Sequence, residues 1–414
     1  MLTSVRKQSF VLVTVLVFAV AFTGCASYKK QMANTQTLIR EGNARAFAES
    51  IKEKAFTDGI DQIVYLFEYG TAMQIAGEYE ESNKAFLLAE ELTEVKDYHS
   101  ISNISASILT SAEVEQYKGE DYEKVLVNAM LAINFLMLGN LEAAMVETRK
   151  LNDKLYKYKF EAKRDYEQNP FAFYLAAMIR EEDKDWDGAY IDYGRVRKLN
   201  PEVAYLKQDL VRSAANARRY SEVKKWKQKF GLKSDHRLKK GWGEVVLIYL
   251  QGWGPQKERH TQWRSIPELQ RRFSYTKTMK LVVDESKEAL SQPVYNVTEV
   301  AMKTLNDAYK SIIAKRIAGK VVKEVAAQAI ARENKLLGAI AKIGLNATDR
   351  ADLRQWFTLP NTFQVARIAV PAGEHTVSAE GLTDLDEGSG EFMKPQTVTV
   401  KDGKKTFLLF RSVR

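Results

Sequence analysis

From Asn169 to Phe230 apolar residues recur every three or four positions, broken by short polar turns, and one pattern of two amphipathic helices occurs twice in succession. Trp186 corresponds to Tyr220, Ala189 to Val223 and Val196 to Phe230, each pair 34 residues apart. A helix pair of this kind cannot bury its apolar face alone, so copies stack into an array with an extended binding surface. Paired helices approach closely where small residues face each other. At a separation of 12 the chain places Gly70 with Ser82, Ala132 with Ala144, Ala177 with Ala189, and the larger Val211 with Val223. The pattern therefore predicts an irregular array, best preserved at its end, whose last pair is splayed or caps the stack.

Thirty-four residues is the tetratricopeptide period. After Gly231 the period changes. Val245–Leu250 is a short apolar run between two Gly-Trp-Gly triplets and reads as a buried strand. Further strands are expected at Gln262–Ile266, Phe273–Val283, Phe363–Val370, His375–Ser378, Thr397–Val400 and Thr406–Phe410, and Gly252–Pro255 as an exposed loop. Thr298–Ala347 is helical in pattern and rich in Ala, Ile and Val, with nine cations against four anions between Glu299 and Lys342. It reads either as a core-facing stripe with a solvated back, or as a surface for an anionic membrane or a partner helix. The fold class that follows is α+β multidomain: an N-terminal tetratricopeptide-like helical array at 57–235, then a small β-sandwich at 236–414 interrupted by a helical insertion at about 298–357.

The amino terminus narrows the compartment. Arg6 and Lys7 precede an uncharged run from Phe10 to Phe22, too short for a comfortable permanent span, and residues 1–24 read as an export signal. Phe22-Thr23-Gly24-Cys25 resembles the lipobox of bacterial lipoproteins, although that motif prefers Leu where Phe22 stands. The resemblance implies that Cys25 becomes the acylated first mature residue, followed by a tether and leading helix at 25–56. With Ala26 and Ser27 following and no Asp, it implies an outer-membrane address facing the periplasm. Cys25 is the single cysteine, so its acylation would leave no thiol for disulfides, catalysis or metal binding. Apolar content of 45% with 28% charged residues is that of a globular chain. The net charge of +9 points to anionic headgroups or cell-wall polymers. Nucleic acid would call for a clustered basic stripe with interleaved aromatics or a known module, and no nucleic-acid partner is expected.

Tyr117-Lys118-Gly119-Glu120-Asp121-Tyr122 reads as a turn before a helix. Tyr117, Lys118, Glu120 and Tyr122 are candidate partner contacts, the alternative being a solvated loop with its tyrosines packed inward. Several stretches, among them Tyr117–Lys124, Gly139–Arg149, Asn169–Leu175, Ala189–Tyr193, Ala351–Trp356 and Pro371–His375, resemble an uncharacterised family of bacterial tetratricopeptide lipoproteins. The tail from Thr362 resembles β-sandwich modules of the PEGA type. These resemblances imply architecture and address, and a periplasmic or outer-membrane protein partner.

Little points to catalysis or cofactors. His99, His236, His260 and His375 lack ligand spacing, and no nucleophile elbow or phosphate-binding loop occurs. Glu374-His375 is open to reading as a catalytic pair or as a hairpin tip. Asp183–Gly188 opens like a calcium loop, but Gly194 stands where the closing Glu belongs, so an acidic inter-helix turn is the better reading. No metal or cofactor is expected. The sequence favours a non-catalytic scaffold over an envelope enzyme or cell-wall polymer binder.

Overall fold

The computed structural model describes Met32, residues 35–100, 116–160, 169–261, 266–303 and 351–413, and Gln328 and Arg332. The expected signal, Cys25, most of the helical insertion and the strand at Gln262–Ile266, apart from Ile266, lie outside the described residues.

The array is built from α1 (Ala44–Phe56), α2 (Gln62–Ile75), α3 (Tyr79–Ser100), α4 (Asp121–Met137), α5 (Leu141–Phe160), α6 (Pro170–Glu182), α7 (Trp186–Leu199), α8 (Leu206–Asn216) and α9 (Tyr220–Phe230). Helices α2 to α9 fall into the four expected pairs, and α1, read as leading out of the tether, packs directly on α2. The pairing residues Ala132, Ala144, Ala177, Ala189, Val211 and Val223 are all buried. At Gly70 the Ser82 hydroxyl donates to the Gly70 carbonyl at 2.6 Å, and a Cβ there would meet the Phe86 ring at 2.7 Å. The last pair forms its own small cluster of Val211, Ala214, Ala215 and Val223, bordered by Trp226 and Leu232.

Local chemistry sets the helix ends. Asn169 caps α6, its side chain accepting from the Phe171 and Ala172 amides, with Pro170 in the first turn where a missing N–H is harmless. Asp185 caps α7 by accepting from the Gly188 amide, and Asp187 pairs with Arg219 at 2.6 Å. The acidic turn at Asp183–Gly188 thus belongs to helix capping and ion pairing between repeats.

The carboxyl-terminal region contains β1 (Trp242–Gln251), β2 (Gln256–Arg259), β3 (Pro267–Gln270), β4 (Thr278–Val283), β5 (Lys287–Leu290), β6 (Gln292–Asn296), β7 (Thr362–Pro371), β8 (Gly373–Leu382), β9 (Gly388–Val400) and β10 (Lys405–Arg411). One sheet has the order β10-β1-β7-β6, a second β5-β4-β8-β9, and β2 and β3 form a separate ribbon. Strand β1 runs parallel to β10 and antiparallel to β7. Each sheet therefore combines strands from both sides of the insertion, alternating in the first and side by side in the second, as one interrupted β-domain requires. The expected strand from Phe273 begins only at Thr278, and Gly252–Pro255 is buried instead of exposed. The Trp253 ring packs by Phe357 with the Arg272 and Arg411 guanidiniums over it, and its indole N–H donates to the Val413 carbonyl at 3.0 Å.

The uninterrupted apolar run in β1 has a simple cause. Val245, Leu247 and Tyr249 meet Met279, Leu281, Val283, Val377 and Ala379 of the second sheet, whereas Val246, Ile248 and Leu250 share a core with the helices. The first sheet is the middle of three layers, helices, sheet and sheet, and is buried on both faces.

Replacing Gly70 by Ala tests how tightly α2 and α3 approach. A mid-helix glycine normally costs up to about 1 kcal/mol relative to alanine. Here the added methyl must displace Phe86, and a net loss of about 1–3 kcal/mol is expected in denaturant unfolding.

Candidate functional site: the face between array and sheet

Polar side chains on each of the first helices of the pairs, among them Glu68 of α2, Glu123 of α4, Glu181 of α6 and Asp209 of α8, reach the β-domain, and two clusters join them to it. At one, Arg367 of β7 is buried and makes a two-point contact with Glu244 of β1 at 2.7 and 2.9 Å. The same guanidinium reaches Asp209 of α8 at 2.8 Å, Glu181 of α6 at 3.2 Å, and the hydroxyls of Tyr174 and Tyr193 at 3.1 and 3.3 Å. Lys405 of β10 bridges Glu181 at 2.7 Å and Glu244 at 3.0 Å. Arg212 holds Glu181 at 2.8 Å and Asp209 at 2.6 Å. Three cations thus face three carboxylates and the cluster is formally neutral, which is the condition under which buried charge is tolerated. Burial by itself would raise the Glu181 pKa, but Arg212, Lys405 and Arg367 hold it down at about 2. Glu244 is likewise held well below the usual carboxylate range: burial acts upwards on it and Arg367 and Lys405 overcome that.

At the other cluster the extended segment after the insertion lies against α2, α3 and α4. Trp356, only 1% exposed, stacks on Phe67 at 4.6 Å, lies by Phe86, and donates its indole N–H to the Thr71 hydroxyl at 2.8 Å. Its amide donates to Glu123 at 2.6 Å, and the Phe357 amide donates to Glu68 at 2.5 Å. Arg354 pairs with Asp61 at 2.9 Å and Asp352 at 2.7 Å, and Lys257 of β2 pairs with Glu120. Burial pushes Glu68 up to about 8, with the Thr358 hydroxyl and Phe357 amide acting against it. Burial also raises Glu123 from its ordinary value.

This geometry settles where the sequence-derived contact residues lie. Tyr117 and Tyr122 are 4% and 7% exposed, so they are not surface contacts for another molecule. The Tyr117 hydroxyl donates to Glu123 at 2.5 Å, its amide donates to the Ile60 carbonyl at 2.7 Å, and Arg354 lies over its ring. Glu120 caps α4 in a reciprocal arrangement with Glu123 and pairs with Lys257 of the same chain. Lys118 is half-buried. Of the four expected contacts the two tyrosines are therefore internal, because aromatic residues that suit a ligand also suit the chain's own sheet, while Lys118 and Glu120 remain half-exposed.

Sequence reading did not pick out Arg367, Glu181, Asp209, Glu244 or Lys405. Charged residues at core-facing positions of amphipathic segments were the available signal: Glu181 and Asp209 sit in the apolar phase of their helices, and Arg367 in the middle of an apolar strand. Glu374 is exposed, while both ring nitrogens of His375 are engaged, Nδ1 with Asp284 at 2.6 Å and Nε2 with the Pro371 carbonyl at 2.7 Å. Glu147 and Lys150 pair at 2.9 Å along α5, as their spacing suggests, and join Glu90, with Lys154 completing the group.

No protein-family model matches this chain, and no curated protein matches it. Among solved structures, a tetratricopeptide repeat protein from Parabacteroides merdae aligns at 13% identity over 49% of this chain and 65% of its own, with a TM-score of 0.33. Repeats of a kinesin light chain protein from Podosopora anserina align at 10% identity over 50% of this chain and 95% of theirs, TM-score 0.34. MamA from Desulfovibrio magneticus aligns at 13% identity over 49% of this chain and 96% of its own, TM-score 0.30. By its own helix pairs and period, the chain is a tetratricopeptide-like helical array joined to a β-domain that fills the face of its first helices.

Two outcomes test this junction. Arg367→Met should cost about 3–5 kcal/mol, since it strands buried carboxylates, and should open the β-domain to limited proteolysis before the array. Glu68 titrates the other way from Glu181. Its folded pKa of about 8 lies above the ordinary 4.5, so its contribution is present in acid and is lost as pH rises between those values. In urea unfolding, Glu68→Gln should flatten the decline in stability from about pH 5 to pH 8, and an unchanged slope would refute a buried, raised Glu68.

Proposed function

We propose that the protein is a non-catalytic lipoprotein of the outer membrane, anchored through Cys25 and facing the periplasm, that recruits a protein partner of the periplasm or outer membrane. The observation that carries the scaffold reading is the occupation of the first-helix face by the chain's own sheet. Its charged side chains are engaged in holding the two parts as one body, which leaves the second helices as the outward surface. There Val146 of α5 and Ile191 of α7 are exposed at equivalent positions, each two residues beyond the small pairing residue, Ala144 or Ala189. Repeated exposed aliphatics on successive repeats suit a partner that lies along the array.

The second reading, binding of a cell-wall polymer by the β-domain, draws on the exposed rings of Phe273, Tyr275 and Phe392. Photo-cross-linkers placed at Val146 and Ile191 in intact cells should capture one shared protein. Capture of carbohydrate at Phe392, with no protein at either array position, would overturn the scaffold in favour of the polymer binder. Processing is tested separately: the wild type should incorporate labelled fatty acid and Cys25→Ala should not, and labelling that survives the substitution would refute the anchor.

A further inference from the structure

The charge of the chain is unevenly placed. Between Arg218 and Lys240 there are ten Lys and Arg against two acids, Glu222 and Asp235, a net of +8, compared with +9 for all 414 residues. This is the denser of two basic stretches, the other being the insertion with its excess of five, and it covers the last helix, α9, and the loop that leads into β1. The clustered basic stripe with interleaved aromatics that the sequence reading did not find is this one.

The structure keeps most of these cations at the surface. Arg218, Lys224, Lys225, Lys229, Lys233, Arg237, Lys239 and Lys240 are exposed. Both acids are already engaged, Glu222 with Lys225 at 3.1 Å and Asp235 with Lys227 at 3.0 Å. Arg218, Lys224, Lys233 and Lys240 have no ion pair among the described residues. Val223 is the one buried residue in α9, so as the terminal helix it presents most of its circumference outward. Aromatic rings are set among the charges. Trp226 stacks on Phe230 at 5.3 Å with Arg197 over both rings, and Tyr220 is 68% exposed.

We propose that this basic end of the array docks on an anionic phospholipid surface, as a second attachment distinct from the acyl chain. Two observations favour headgroups over other polyanions. Lysines that lack partners suit a diffuse layer of phosphates, whose attraction grows with each basic residue and fades within a Debye length. The aromatic rings beside them match the composition of surfaces that settle at the membrane interface. No described helix is long and apolar enough to cross a membrane. The choice of lipid rests on the envelope reading above. With the tether preceding the first helices and the patch on the last, the array would be attached at both ends of its sequence.

The test uses the chain without residues 1–25, which keeps every described element and removes the acyl anchor. It should co-sediment with vesicles containing phosphatidylglycerol and not with pure phosphatidylcholine, and the binding should fall steeply as salt is raised. Lys224→Glu, Lys229→Glu and Lys233→Glu together should weaken it by about tenfold or more with the melting temperature unchanged, and the three Lys→Arg changes should preserve it. Undiminished binding by the Glu variant, or equal binding to both vesicles, overturns the proposal. Tighter binding to an oligonucleotide or an acidic peptide than to the vesicles also overturns it and assigns the patch to that polyanion. The vesicle result is independent of Cys25, whose loss of acylation tests the envelope reading alone.

Discussion

The guanidinium of Arg367 is the constraint around which the molecule closes. It is carried by the middle sheet of a three-layer structure and is cut off from water, so it must find its counter-charges within the fold. Glu244 comes from the neighbouring strand, Glu181 and Asp209 from two different helix pairs, and Arg212 of α8 together with Lys405 of the last strand restores neutrality. Apolar contacts between β1, β7 and the helices supply most of the burial, but they are tolerant of small shifts. The charge cluster fixes register, because a slip of one residue in β7 would turn Arg367 to the opposite face of the sheet.

Much of the architecture was legible in the chain. Period and small-residue spacing located the helix pairs, and the apolar run with its flanking turns located β1. The reason β1 is so apolar was not legible, since a strand buried between two sheets and one buried between a sheet and helices read alike. The contact residues failed for a related reason. Tyr117 and Tyr122 have the chemistry of a binding surface, and whether the ligand is another molecule or the segment around Trp356 depends on a contact spanning more than two hundred residues. The basic end was missed because its cations were counted with the whole chain, where a dispersed excess and a local one give the same total.

The self-filled face changes how the array must be regarded. A repeat array usually offers its inner surface to a ligand, whereas this one uses that surface to hold its own β-domain at a fixed angle. The second helices, the ends of the stack and the outer sheet are the surfaces this leaves open. The remaining faces of both parts are thereby held in directions that the junction sets.

The position of β10 carries one more consequence. The strand that pairs with β1 in parallel and delivers Lys405 lies in the final ten residues, while the carboxylates awaiting it belong to helices made much earlier. Until β10 is in place, Glu181 and Glu244 lack one of their counter-charges. The charge balance of the junction is therefore a long-range property, completed only when segments more than two hundred residues apart have met.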